Sequence, residues 1–219
     1  MATTKTDVAA LVAQMPEVDN PGQASKFTGP DPQAAAKIFA EILAGGRESI
    51  LELIALLREP GDPEYKDYKA GYVLHGLALQ AGRPGQEERR RLFAETLASQ
   101  LGNDKLSQGV KGFLIRELQV AGGQEVVEAL GKQLRDMELC EYATQALLAI
   151  RDGAAAQLRG ALRGATGKNR VTLIQALGVV RDAESIAVLK EAQAEPDRDV
   201  RNAAAWALAN IAKPAPSRP

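Results

Sequence analysis

The sequence predicts an all-α protein built as a helical repeat solenoid, and three observations carry that prediction. Alanine makes up roughly a sixth of the 219 residues while aromatics make up 4%, and alanine loses no side-chain entropy in a helix and lets helices approach closely. One apolar skeleton at helical spacing returns several times along the chain. Helix-capping residues return with it in the same register.

The skeleton is clearest near the C-terminus, where Val200, Ala204, Ala207, Leu208 and Ile211 share one helical face. It recurs as Leu139, Ala143, Ala146, Leu147 and Ile150, and between them as Leu173, Ala176, Leu177 and Val180. The marker Leu208 maps to Leu177, Leu147 and Ile115 in steps of 31, 30 and 32 residues, and a looser copy puts Leu74 and Leu77 in these roles, Leu74 lying 41 before Ile115. Asp197 recurs as Thr166, Asp136 and Asp104, with Asp62 one residue off and Pro63 behind it. Side chains of this kind accept from the orphan amides of a first helical turn, worth about 1 kcal/mol each.

Taken in order, the elements begin with a polar start and a short apolar stretch, Val8 to Val12. A loop over 16–30 holds Pro16, Pro21, Gly22, Gly29 and Pro30 and is too long for an idle connection; Phe27 is expected to pin it as a cover over the first repeat. Asp31-Pro32 opens a helix over 32–44, and Gly45-Gly46 closes it. Helices follow over 47–58, 64–81, 86–101 and 105–121, with Gly82 as a stop. A second set is read over 124–135, 153–163 and 183–194, behind the breakers Gly122-Gly123, Asp152-Gly153 and Asp182. Their inward stripes are Val126, Leu130 and Leu134, then Leu158 and Leu162, then Ile186 and Leu189. Each repeat is a helical hairpin that buries its apolar faces only by stacking on its neighbours. The expected organisation is an N-terminal helix and loop cover over 1–30, about five hairpin repeats over 31–212 (regular over 123–212, looser over 46–121), and a proline-rich tail or linker over 213–219. No polar capping repeat follows Trp206, Leu208 and Ile211, so a longer native protein is an expectation too.

Composition removes whole classes of function. With 27 basic and 28 acidic residues the formal charge is −1, which leaves no electrostatic drive for nucleic acid. One cysteine, Cys140, excludes a disulfide framework and cysteine-rich metal sites, and one histidine, His75, excludes centres built from several. The strongest apolar run, Ile50 to Leu57, is broken by Glu52 and falls far below the ~18 residues of a membrane helix. No signal peptide is visible, so cytoplasmic residence is the default, although a chain lacking its signal peptide reads the same.

The run Asp197-Arg198-Asp199-Val200-Arg201-Asn202-Ala203-Ala204, with Leu208 four further on, resembles a HEAT repeat, and more narrowly the short HEAT-like repeats of the phycobilisome-lyase type. The likeness is good over 123–212 and loose over 46–121. It implies a right-handed α-α superhelix whose second helices line a concave surface, used most often to bind other macromolecules. The family's arginine is matched by Arg201 and Arg170 and replaced at Cys140, Gln108 and Asp67, so an Asp–Arg ladder is broken in the early repeats.

If the second helices line the inner surface, register picks out its exposed stripe. Trp206 corresponds to Gln175, Gln145, Phe113 and Tyr72; Asn202 to Val171, Glu141, Gly109 and Tyr68; Ala209 to Gly178, Leu148, Arg116 and His75. One end is then aromatic and cationic (Tyr68, Tyr72, His75, Phe113, Arg116) and the remainder polar, through Glu141, Gln145, Gln175 and Asn202 up to Trp206. Tyr, Trp and Arg dominate binding hot spots because they bury rigid surface and keep a polar handle. The plainer alternative has Phe113 and Tyr72 filling core where alanine is absent.

Other groups read more simply as structure. His75 lacks a second histidine for a metal. Cys140 sits in a first helical turn where the macrodipole lowers a thiol pKa, yet no histidine is near in sequence. Arg89-Arg90-Arg91 follows Glu87-Glu88 and reads as a solvated face with intrahelical pairing. Gly160, Gly164 and Gly167 lack the strand and Lys-Ser/Thr of a phosphate loop and read as close helix packing and a stop.

The reading that follows is a non-catalytic scaffold binding a partner protein or peptide on the concave face. It is expected to work as a monomer, with no metal, cofactor, nucleic acid or membrane involved. Two alternatives stand beside it. One is an enzyme on a HEAT-like scaffold: bilin lyases resemble the repeats most, while a deoxyhypusine hydroxylase needs several His–Glu pairs and an alkylpurine glycosylase a basic groove. The other is a purely structural arm of a longer protein.

Overall fold

The computed structural model describes residues 6–15, 32–59, 61–65 and 68–214. The readings placed on the 16–30 loop, on Asp31 and Asp67, and on the last five residues of the tail lie outside them. Among the described residues there are twelve α-helices and no strand: α1 (Val8–Ala13), α2 (Pro32–Ala44), α3 (Gly46–Ala55), α4 (Lys69–Ala81), α5 (Glu87–Gln100), α6 (Gln108–Ala121), α7 (Val127–Gln133), α8 (Cys140–Ile150), α9 (Ala154–Leu162), α10 (Gly167–Val179), α11 (Ile186–Ala192) and α12 (Arg198–Ala212). Short 3-10 turns, Gln124–Val126 and Ala183–Ser185, lead into α7 and α11.

The helices form two layers. The even-numbered ones pack in succession, α2 on α4, α4 on α6, and so on to α10 on α12, while α3, α5, α7 and α9 follow each other in a second layer. Each even helix also packs on its odd partner, as α5 does on α6 and α7 on α8. This is the stacking of an α-solenoid, in which each repeat completes its core on its neighbours. At the first repeat α1 lies across α3 and α4, burying Val8, Leu11 and Val12.

The markers Leu74, Leu77, Ile115, Leu147 and Leu177 are fully buried, as are Val126, Leu130, Leu158 and Leu189. Leu208 and Ile211 are only half-buried, because no later helix among the described residues covers α12.

Caps explain where several helices start. Asp197 accepts from the amides of Asp199 and Val200 at 2.8 and 3.2 Å at the start of α12. Thr166 stands at the N-cap of α10 without a side-chain bond, before Gly167 at φ +53°. Three expected caps are corrected. Asp136 accepts from Glu138 and Leu139 at 2.8 and 3.0 Å in the turn before α8, whose N-cap position is Leu139. Asp104 lies in the turn before α6, and Ser107 takes the cap, its Oγ accepting from Val110 N at 3.2 Å. Asp62 accepts from Glu64 N at 2.7 Å inside a loop turn, while α4 starts only at Lys69. The helix expected to reach 58 stops at Ala55, because the Arg58 guanidinium donates to the carbonyls of Ala55 and Leu57 at 2.9 and 2.7 Å. The connection before α4 is therefore longer than the sequence suggested, and its residues 56–59, 64 and 65 form a wall of the groove beside α4.

The family-type arginines do not build an Asp–Arg ladder. Arg170 pairs with Glu195 and donates to the Leu162 carbonyl, and Arg201 donates to the carbonyls of Glu195 and Pro196 at 2.9 and 2.6 Å. Both therefore fasten turns between helices. Of the arginine triplet, Arg91 pairs within its helix with Glu95 at 2.7 Å, as expected. Arg90 reaches instead to Glu125 at 2.6 Å and to the Ala121 carbonyl at 2.9 Å, tying α5 to the end of α6 and the start of α7. Gly160 and Gly164 have open space where a side chain would stand, so they are not the close-packing positions the sequence suggested. No helix among the described residues is long and apolar enough to cross a membrane.

Candidate functional site

The exposed face of the even layer carries a chain of grooves. One of about 1000 Å³ lies between α1, residues 56–59 and 64–65, α4 and α6. Tyr68, Tyr72, His75, Phe113 and Arg116 all line it, joined by Leu56, Tyr65 and Val120. Three smaller grooves continue along α6 to α12. Arg116, Glu141 and Gln145 line one of about 600 Å³ between α6 and α8. Gln175, Asn202 and Trp206 line another of about 630 Å³ between α10 and α12. Gln145, Gln175 and Trp206 meet again in one of about 330 Å³. All ten residues picked out by register thus lie along this one face.

Helix periodicity explains the aromatic end. Tyr68, Tyr72 and His75 fall on one face of α4 at i, i+4 and i+7, and Phe113 and Arg116 at i and i+3 of α6. Tyr68 meets Tyr72 edge-on with centroids 6.0 Å apart, and Phe39 lies 6.3 Å from Tyr72 behind it. Tyr72 and Phe113 are both half-buried, packed on the core with an edge in the groove. Each ring thus fills core and borders the groove at once.

Polar groups along the face are mostly paired. His75 Nδ1 stands 2.9 Å from Glu117 Oε2, tying α4 to α6 at the groove floor. Glu117 is almost wholly buried. Burial pushes its carboxyl above the usual range, against the opposing pull of the His75 hydrogen bond and charge and of Arg116 nearby. Arg58 pairs with Glu64 at 3.0 Å, and Lys168 of α10 with Glu141 of α8 at 2.7 Å. Arg116 makes no hydrogen bond or ion pair among the described residues. Its guanidinium lies 5.5 Å from the Phe113 centroid and 5.6 Å from that of Tyr142, a cation–π position over two rings.

Sequence reasoning missed Tyr142, Lys168, Glu117 and the glycines beneath the rings. Tyr142 sits one residue after Glu141, and both face out because an exposed helical face takes two positions per turn; reading one position per turn lost it. The glycines form a pattern. A Cβ on Gly112 would stand 3.1 Å from the Tyr142 ring, one on Gly178 3.0 Å from Trp206, one on Gly71 3.5 Å from Phe113, and one on Gly76 2.2 Å from Phe39. Each ring rests where the neighbouring helix has no side chain.

Seven of the eight large apolar side chains exposed among the described residues line these grooves, Leu79 being the exception. The exposed apolar side chains are thus gathered on one face instead of being scattered singly over the surface. Elsewhere, Cys140 is fully buried at the start of α8, and burial pushes its thiol up, opposite to the helix-dipole effect. Among the described residues no three His, Cys, Asp or Glu side chains are placed to hold a metal ion.

No family model matches the chain, and no curated protein matches it. Among solved structures it is similar to a designed armadillo repeat protein, at 19% identity over 94% of this chain and 100% of that one, with a TM-score of 0.41.

Proposed function

We propose that this chain is a non-catalytic interaction module of the HEAT-like type, binding a partner protein or peptide along the exposed face of its even helices. The observation that carries the reading is the gathering of exposed apolar side chains into one row of grooves beside Tyr68, Tyr72, His75, Phe113 and Arg116. Half-buried aromatics bound to the core are pre-organised anchors that lose little freedom on binding. Glu141, Gln145, Gln175 and Asn202 continue the row with groups that donate or accept toward a peptide backbone. A buried thiol and a lone histidine engaged by a carboxylate fit binding better than turnover.

The test is affinity capture from native lysate with the wild type beside a Tyr72→Ala, Phe113→Ala, Trp206→Ala variant, both checked for folding by circular dichroism. A partner lost only from the folded variant is the expected result. Equal capture by both removes the groove from the account, and turnover of a substrate by the free protein would replace the reading with an enzymatic one.

A further inference from the structure

We infer that Arg116 is a receptor for an acidic side chain, so that the partner is a peptide segment carrying an Asp or Glu next to an apolar anchor. The inference rests on the proposed binding role of this face and adds the chemistry of what it binds. Three observations converge on it. Arg116 lines both the large apolar groove and the adjoining groove between α6 and α8, so it stands at their divide. It is exposed, and among the described residues no carboxylate pairs with it, whereas Arg58, Lys168 and His75 on the same face are each engaged by a glutamate. Its guanidinium is held over Phe113 and Tyr142 at 5.5 and 5.6 Å.

A guanidinium stacked on rings keeps its edge N–H groups for a planar acceptor, and a carboxylate matches that fork bidentately. Glu117, on the same helix as Arg116, is already committed to His75 and buried beneath the groove, and Glu141 of the adjoining groove is paired with Lys168. Glu59 stands in the large groove with its carboxylate against Gly109. Arg58 and His75, which line the same groove, are taken up by Glu64 and Glu117. The Glu59 carboxylate there thus disfavours a second acid and favours an apolar side chain in the groove with the acid at its edge, on Arg116. The rings exclude water from one side of the contact and strengthen it.

The test is selection from a random peptide library displayed between two fixed flanks, so that no free terminus contributes, with the full chain as bait. Wild type is expected to enrich segments pairing Asp or Glu with an aromatic or aliphatic anchor. Arg116→Gln is expected to keep the anchor preference and lose the acid, and Arg116→Glu to select Lys or Arg in its place. For one enriched peptide, amide replacement of its acid and Arg116→Gln should each weaken binding about tenfold, and the two together no further. The peptide replacement alone reads the contact without altering the protein. Groove-dependent enrichment with no acid preference would overturn the inference and leave the binding reading standing. Wild type enriching nothing beyond the Tyr72→Ala, Phe113→Ala, Trp206→Ala variant would take down both.

Discussion

Gly178 of α10 lies directly against Ala207 of α12: a Cβ on Gly178 would stand 2.6 Å from the Ala207 α-carbon and 3.0 Å from the Trp206 ring. The obstruction on that side is backbone, so only a shift of a whole helix makes room. The same absence of a side chain seats Tyr142 against Gly112 and Phe39 against Gly76. Glycine weakens a helix by its unfolded-state freedom, and here that loss is offset by aromatic packing between repeats.

A contrast between two helical glycines checks this. Gly178→Ala is expected to destabilise by about 1–3 kcal/mol through overpacking. Gly160, inside α9 with nothing within 4 Å of a built Cβ, should gain about 0.5–1 kcal/mol on Gly160→Ala. Urea denaturation of both variants reads the sign. A Gly178→Ala protein as stable as Gly160→Ala would show that the close approach carries no strain.

Capping gives a second comparison. Ser107 holds the start of α6 through its bond to Val110 N at 3.2 Å. Ser107→Ala is expected to cost about 1 kcal/mol, and Asp104→Ala, three residues earlier in the turn, within about 0.5 kcal/mol of nothing. The opposite order in thermal melts would restore Asp104 as the cap.

These two cases mark how far the sequence could be read. Period and capping located the even helices because Leu147, Leu177 and their equivalents obey one spacing. Start points slipped where two capping residues compete within one turn, as Asp104 and Ser107 do, since sequence does not say which amide each oxygen reaches. The aromatic stripe was legible because Tyr68, Tyr72 and His75 share a helical face. Contacts between helices were not: the Arg90–Glu125 tie, the His75–Glu117 pair and the ring-on-glycine pattern join residues up to 42 positions apart, and only stacking brings them together. Arg170 and Arg201 matched a family motif, yet their partners are turn carbonyls and Glu195 rather than a ladder of aspartates.

Glu117 makes stability depend on pH in an unusual direction. Its folded-state pKa is raised, chiefly by burial, so the folded chain binds this proton more tightly than the unfolded chain does. The contribution is then full below the ordinary carboxylate pKa and is lost as pH rises through the raised one. Glu117→Gln is expected to remove that slope while leaving an amide to face His75. His75→Ala removes the neighbour that pulls the pKa down and should carry the loss to higher pH. Side-chain carboxyl NMR titration reads Glu117 directly, and an ordinary carboxylate midpoint there would rule the effect out.

The solenoid predicts that core damage stays local. Leu177 is fully buried on α10, which packs on α8, α9 and α12. Leu177→Asp places an unpaired charge among apolar neighbours, which costs several kcal/mol unless the site opens to water. Opening is the easier route, because each repeat contacts only its neighbours and coupling along the array is the sum of those contacts. Hydrogen exchange should therefore show protection lost over α9 to α12 and kept over α2 to α6. On the proposed binding role, the groove around Tyr72 and Phe113 would then keep its affinity for a selected peptide while the Trp206 end no longer contributes. Uniform loss of protection from α2 to α12 would mean the array folds as one cooperative unit, with interfaces stronger than the repeats they join.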